Sequence, residues 1–223
     1  MGLPFVSDGE RGALLMLGGG HSAKEKVEEV KASGGDKWAI GTAYHWWKAQ
    51  GVDCTFFSAH ASRAAIPNVQ GVARAVVACQ THPDVLKELV KTADVTLFDL
   101  VDDGGARYTT SVTCVPMLAC RMGYKEVHLY GCDSSYGDRS HVNFHNDDPL
   151  LIQVTVDGEE FVTGIEFMGQ AEFMSWLVRN APKVYKNHSG GLLAAMVRNW
   201  DYDVTKVSQE VQNCIIHEET SNA

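Results

Sequence analysis

The strongest constraint on the fold is a repeated contrast of period along the first part of the chain. Apolar runs rich in β-formers recur at ALLML (13–17), KWAIGT (37–42), DCTFFS (53–58), ARAVVAC (73–79), DVTLFD (94–99) and EVHLYG (126–131), and most are separated by segments of helical spacing. Ala23, Val27 and Val30 fall at i, i+4 and i+7, and Val85, Leu86, Leu89 and Val90 make a second stripe. The strand-like runs are too uniformly apolar to keep one face in water, so they belong in a sheet covered on both sides. Strands that alternate with helices give a mostly parallel sheet. The expectation is an α/β chain, a Rossmann-like doubly wound sheet flanked by helices.

From residue 150 the texture changes. LIQVTVDGEEFVTG reads as a hairpin turning at Asp157-Gly158, followed by a helix from Glu166 to Asn180, a short strand KVYK and the glycine-bearing NHSGG. Val204, Val207 and Val211 predict a last amphipathic helix ahead of a loose tail, EETSNA. No repeat, low-complexity tract or long linker interrupts the chain. A single domain over 1–223 is therefore expected, with its core at about 13–196 and a small C-terminal extension of hairpin and helix, the last helix and tail lying in 200–223.

Of the 223 residues 45% are hydrophobic and 21% charged, a composition able to bury a substantial core. Nineteen Lys plus Arg against 28 Asp plus Glu leave a net charge of -9, which disfavours a broad nucleic-acid or anionic-membrane surface. No segment approaches the roughly 18 consecutive apolar residues of a membrane span, and the opening MGLPFVSDGERG lacks the regions of a signal peptide. A cytoplasmic protein is expected, and self-association is compatible with the sequence. Cys54, Cys79, Cys114, Cys120, Cys132 and Cys214 form no C-x-x-C pair and read as free, mostly buried thiols. Trp46 and Trp47 read as core and half-exposed packing rather than a platform for bases.

Directly after the first strand stand Gly18, Gly19 and Gly20, then His21 and Ser22. Ser22 with Glu25 makes the capping box S-x-x-E, which predicts a helix starting there. Backbone N–H groups at such a start are unpaired, and glycines let an anion approach them, so phosphate is the natural guest; the plain alternative is a strand-to-helix turn. GGGHSA also fits a loose G-x-G-x-x-A, but IGTAYHWW stands where a dinucleotide site needs an acidic residue, and no P-loop Lys follows. An oxidoreductase is thereby disfavoured.

Most other polar candidates lie in RYTTSVTCVPMLACRMGYKEVHLYGCDSSYGDRSHVNFHNDD. Thr109, Thr110, Ser111 and Thr113 offer hydroxyls and amides at a helix start, with Pro116 predicting that the helix begins late, near Thr113, or is kinked, and leaves the amides of 110–113 free. Asp133 ends the sixth strand, where doubly wound folds place ligand contacts, and could accept ribose hydroxyls or share a Mg²⁺ ion with phosphates. His141 suits proton transfer or a hydrogen bond to a departing phosphate, the alternative being a solvated loop histidine. The spacing of His141 and His145 in a loop argues against a transition-metal pair, and Asp147 and Asp148 read as solvated or capping residues. The expected site has the amides of 18–22 gripping an anion opposite Asp133 and His141.

The stretch TTSVTCVPMLACRMGYKEVHLYGCDSSYGDRSH, the hairpin VDGEEFVTG and the closing YKNHSGGLLAAM together resemble the 6-hydroxymethylpterin diphosphokinase MptE-like domain family. The core is also similar to that of single-domain bacterial sialyltransferases. The resemblance spans about Ala13 to Met196 and implies a Rossmann-like nucleotide site with a small-molecule acceptor. By position, Gly18, Gly19, Gly20, His21 and Ser22 would hold phosphate, Thr110 and Ser111 would close the site from a second helix start, and Thr42 would face the nucleotide. Asp133, Tyr136 and His141 would line the reacting side, Asp133 as the Mg²⁺ ligand, and Asn187, Ser189, Gly190 and Gly191 would shut it. His21 replaces a Pro common in relatives, and Gly41 and Thr42 stand where relatives often carry Asn. The implied activity is transfer of diphosphate from ATP to a hydroxymethyl acceptor, pterin-like or other, with Mg²⁺. Two alternatives are glycosyl transfer from a nucleotide sugar and a non-catalytic module that binds or sequesters nucleotide.

Overall fold

In a computed structural model, residues 9–99, 110–136 and 151–206 are described. Seven strands form one wholly parallel sheet: β1 (Arg11–Leu17), β2 (Asp36–Ile40), β3 (Thr55–Ser58), β4 (Arg74–Ala78), β5 (Asp94–Phe98), β6 (Tyr124–Tyr130) and β9 (Tyr185–Asn187). Their order across the sheet is β5-β4-β3-β2-β1-β6-β9, so the chain winds outward from β1 to β5 and then crosses back to the other side of β1. A second sheet, in the order β10-β7-β8, is built from β7 (Leu151–Val156), β8 (Glu159–Gly164) and β10 (Tyr202–Lys206). The α/β, Rossmann-like expectation is met, and so is the hairpin, with Asp157 and Gly158 both at positive φ (52° and 80°) as a tight hairpin turn requires.

Alternation along each central strand feeds two cores. Leu14, Met16, Trp38, Phe57, Val76, Val127 and Leu129 point to one face, where α4 (Ser111–Arg121) and α5 (Ile165–Asn180) cover them. Leu15, Leu17, Ala39, Phe56, Val77 and Tyr130 point to the other, under α1 (Val27–Ala32), α2 (Ala43–Ala49) and α3 (Pro83–Leu89). Each such apolar side chain withdrawn from water contributes about 1.5–3 kcal/mol, which keeps the central strands covered on both faces; the edge strand β5 departs from the expectation, with Asp94, Thr96 and Leu97 exposed. Trp47 is fully buried and Trp46 half-buried, as expected from packing. A third, smaller cluster joins β7 to α5 and to α6 (Gly191–Arg198) through Val154, Met168, Leu192 and Met196.

Several local expectations are corrected. Val204 lies in β10, paired with Val154 of β7, where the edge of the hairpin takes up its segment as a third antiparallel strand; Val207 and Val211 lie outside the described residues. Val90 falls one residue past the end of α3 and is exposed. Of the two expectations for the helix at Pro116, the late start near Thr113 is not met: it starts at Ser111 and runs through Pro116. Thr110 and Thr113 make that early start stable, since each side-chain oxygen accepts from the other's amide. Two of the amides expected to be free are thus occupied. Among the described residues no helix is long and apolar enough to cross a membrane.

Candidate functional site

The reversal of strand order falls between β1 and β6, and open α/β sheets bind ligands in the crevice beyond the carboxyl ends of strands at such a point. The register Leu17↔Tyr130 makes these two strands end level, so Gly18 and Gly131 leave the sheet side by side. Gly18 N–H donates to Tyr130 O and Gly20 N–H to Gly131 O, both at 2.7 Å. Leu129↔Asn187 brings β9 level on the far side of β6, so the loop His188–Gly191 joins them. Three loops therefore meet at one place, and they carry most of the residues singled out from the sequence.

What holds them together is Asp133. Its Oδ2 accepts from Ser22 N–H at 2.9 Å, and its Oδ1 accepts from Ser22 Oγ at 2.5 Å and from Gly190 N–H at 3.1 Å. The residue is only 4% exposed. The expected anion between the glycine loop and Asp133 is thus replaced by the Asp133 carboxylate itself: loop and aspartate touch, with no space for a guest between them. The glycines fit that role. A Cβ on Gly20 would sit 2.5 Å from Asp133 Cγ, and one on Gly18 would sit 2.2 Å from Gly131 O. The capping box at Ser22 does not form, because its hydroxyl is spent on Asp133; Gly20 occupies the N-cap position of a 3-10 turn, His21–Lys26, without a side-chain cap.

The remaining loop residues lock the same junction. Ser189 Oγ accepts from Cys132 N–H at 2.9 Å and donates to Leu129 O, while the Asn187 amide brackets the backbone of Ser189. Ser135 Oγ accepts from Leu192 N–H at 3.1 Å. Burial pushes the Cys132 thiol up to about 12, with the neighbouring Asp133 charge adding to it, so this cysteine is inert filling. Tyr136 is half-buried, and its amide bridges to Val162 of β8. Ser111 Oγ accepts from Ala59 N–H at 3.1 Å, which ties the start of α4 to the end of β3. Thr42 is half-buried at the start of α2.

Three further supports brace the junction, of which Trp47 and Gln170 were not read from the sequence as site residues. Trp47 Nε1 donates to Gly18 O at 2.9 Å, pinning the glycine loop from α2. Gln170 of α5 donates to Ser134 Oγ at 2.7 Å and accepts from Thr110 Oγ1 at 3.0 Å, joining the loop after β6 to the start of α4. Thr163 Oγ1 donates to Ser134 O at 2.7 Å. Ser134 needs these bonds, since a serine at φ 56° stores roughly 1–3 kcal/mol of backbone strain. A signal for Gln170 existed: it sits four residues before Met174 on the buried stripe of α5.

Two amides at the rim, those of Gly19 and His21, meet no acceptor among the described residues. Gly19 is half-buried and His21 exposed, so these two unpaired donors are the groups of this loop left for an anionic ligand. Both oxygens of Asp133 already accept from protein donors, and among the described residues no three His, Cys, Asp or Glu side chains converge on a metal-sized site. His141, His145, Asp147, Asp148 and Thr109 lie outside the described residues. Comparison of the chain with protein-family models, with curated proteins and with solved structures finds no match.

Proposed function

We propose that the chain is a nucleotide-dependent transferase working at the β1/β6 crevice, with donor phosphates received by the outward amides of Gly19 and His21. The observation that carries the reading is the reversal of strand order at β1, where three loops converge on a pre-built, strained junction. The motif resemblance favours diphosphate transfer: an acceptor hydroxyl oxygen attacks the β-phosphorus of ATP, the bond from that phosphorus to the oxygen bridging it to the α-phosphorus breaks, AMP leaves with that oxygen, and the hydroxyl proton is released to solvent. Amides already held in place stabilise the charge that grows on the departing phosphate. In this reading Asp133 is a positioning residue that fixes the loop and touches neither metal nor substrate.

A second reading, glycosyl transfer from a nucleotide sugar, is favoured by one feature, the commitment of both Asp133 oxygens, since that transfer needs no metal ligand. A melting-temperature screen of ATP, GTP, CTP, CMP, UDP-sugars and NAD, with and without Mg²⁺, tests both readings. A donor at 100 times its Kd stabilises by about 2.7 kcal/mol. Turnover that stops on full chelation supports diphosphate transfer, and turnover that survives supports glycosyl transfer. Binding without turnover leaves a sequestering module, and the absence of any nucleotide shift sinks the proposal.

A further inference from the structure

Behind the rim, on the face of the sheet that carries α1, four ionisable side chains stand in a row. Glu126 Oε2 lies 2.9 Å from His128 Nε2, His128 Nδ1 lies 3.1 Å from His188 Nε2, and His188 Nδ1 lies 3.1 Å from Glu29 Oε1. The two imidazoles are nearly parallel, at 8°, and Tyr130 stacks on His188 while its hydroxyl donates to Glu29 at 3.0 Å. The row links three elements: Glu29 belongs to α1, Glu126 and His128 to β6, and His188 directly follows β9 and leads into the loop that binds Asp133. Lys26 pairs with Glu29 at 2.9 Å, and Lys186 of β9 is the other cation close to the row.

Counting protons decides the state of this row. Both glutamates are held below the usual carboxylate range, Glu29 mainly by the Lys26 hydrogen bond and Glu126 mainly by that from His128, so both ends accept. His128 Nε2 must then donate to Glu126, and His188 Nδ1, which faces Glu29 at ion-pair distance without hydrogen-bond alignment, avoids charge repulsion only as an N–H. The two inner nitrogens face each other at hydrogen-bond distance, and an imidazole nitrogen is either a donor or an acceptor. With no proton between them, two lone pairs collide, or one ring turns a lone pair on a carboxylate. With two protons, two N–H groups collide. A single proton satisfies every contact. Burial lowers His188, with the Glu29 charge partly offsetting it.

We propose that His128 and His188 hold one proton between them, and that this singly protonated pair, braced by Glu126 and Glu29, is a pH-sensitive clasp fastening α1 to β6 and β9 behind the rim loops. The proposal does not depend on the nucleotide reading. Its sign follows from linkage. Above the ordinary imidazole value of about 6.5 the unfolded pair binds fewer than one proton while the folded pair keeps one, so the clasp's stability falls as pH rises. Below that value the unfolded pair moves toward two while the folded pair keeps one, so stability falls as pH drops. The contribution therefore peaks near the imidazole value.

The test is the denaturation midpoint of the wild-type protein and of the double variant H128Q/H188Q from pH 5 to pH 8. The difference between them is expected to peak close to pH 6.5, with the folding constant losing up to a factor of about ten per pH unit on either side. A flat or monotonic difference overturns the proposal. In Glu29→Gln an amide N–H can donate to His188 Nδ1, so a neutral pair is satisfied and the loss on the alkaline side should vanish; its persistence also refutes the clasp. Should the double variant not fold, ¹⁵N imidazole NMR of the wild-type protein reads the pair directly. One shared proton retained across this range supports the proposal, and two independent ordinary titrations overturn it.

Discussion

Replacing Asp133 by Ala separates a loop-locking carboxylate from a ligand-binding one, because the two roles give opposite signs. In the native junction the carboxylate accepts from the Ser22 amide, the Ser22 hydroxyl and the Gly190 amide. Asp133→Ala leaves three donors without their acceptor. A buried unsatisfied donor costs about 1–3 kcal/mol, and since Ser22 and Gly190 are only half-buried, water compensates part of it. About 1 kcal/mol each, or about 3 kcal/mol in all, is the expected loss, equivalent to a fall of about 6–12 °C in Tm for a chain of this size. Asp133→Asn keeps one carbonyl oxygen for two donors but turns an NH₂ on the third, so about 1–2 kcal/mol is expected. Ser22→Ala removes a single donor and should fall in the same range. Urea denaturation with an unchanged m-value reads these as losses of native stability. A residue kept for ligand binding at some expense of stability behaves otherwise, and its removal is neutral or stabilising. Were Asp133→Ala to lie within about 0.5 kcal/mol of wild type, or above it, the carboxylate would not be the bolt between these loops.

Other perturbations address the same junction. Gly20→Ala forces a methyl to 2.8 Å from Gly131 O as well as against Asp133, and should cost about 1–3 kcal/mol in denaturation, whereas Gly12→Ala meets nothing within 4 Å and should stay within about 0.5 kcal/mol. Trp47→Phe deletes the bond to Gly18 O in a fully buried site and should cost about 2–4 kcal/mol by circular dichroism melts; a loss under about 0.5 kcal/mol would show that α2 does not hold the loop. Burial raises the thiols of Cys54, Cys114 and Cys132 to about 12, so at pH 8 they carry almost no thiolate. Peptide mapping after native alkylation should find the exposed Cys79 modified and those three protected until the chain unfolds, and labelling of Cys132 as fast as Cys79 would contradict the packing of the junction.

The fold was legible because it rests on short-range pattern. Runs such as ALLML and EVHLYG can only be strands of a doubly covered sheet, and Asp157-Gly158 can only be a hairpin turn. Where an expectation failed, a specific partner had intervened, remote in sequence for Val204 and local for the start of α4. The β7 edge turned Val204 into a strand residue, and reciprocal capping by Thr110 and Thr113 let α4 start ahead of Pro116. The same cause hid the His128–His188 row, whose inner members are separated by 60 positions.

Ser22 and Asp133 show most clearly what pattern cannot reach. Glycines before a helix signal unpaired amides, and an aspartate at a strand's carboxyl end signals an acceptor; both statements hold for this chain. Local sequence does not say whether the two are meant for a ligand or for each other, since 111 positions separate them and either use needs the same donors, the same acceptor and the same absence of Cβ atoms. Geometry resolves it through stoichiometry. The Ser22 amide is consumed by Asp133, while those of Gly19 and His21 are left over. In the proposed reading the carboxylate acts on nucleotide at one remove, by holding the turn that carries the leftover amides, and its loss should weaken nucleotide binding and stability together. A variant that lost nucleotide affinity with stability intact would place Asp133 back in contact with the ligand.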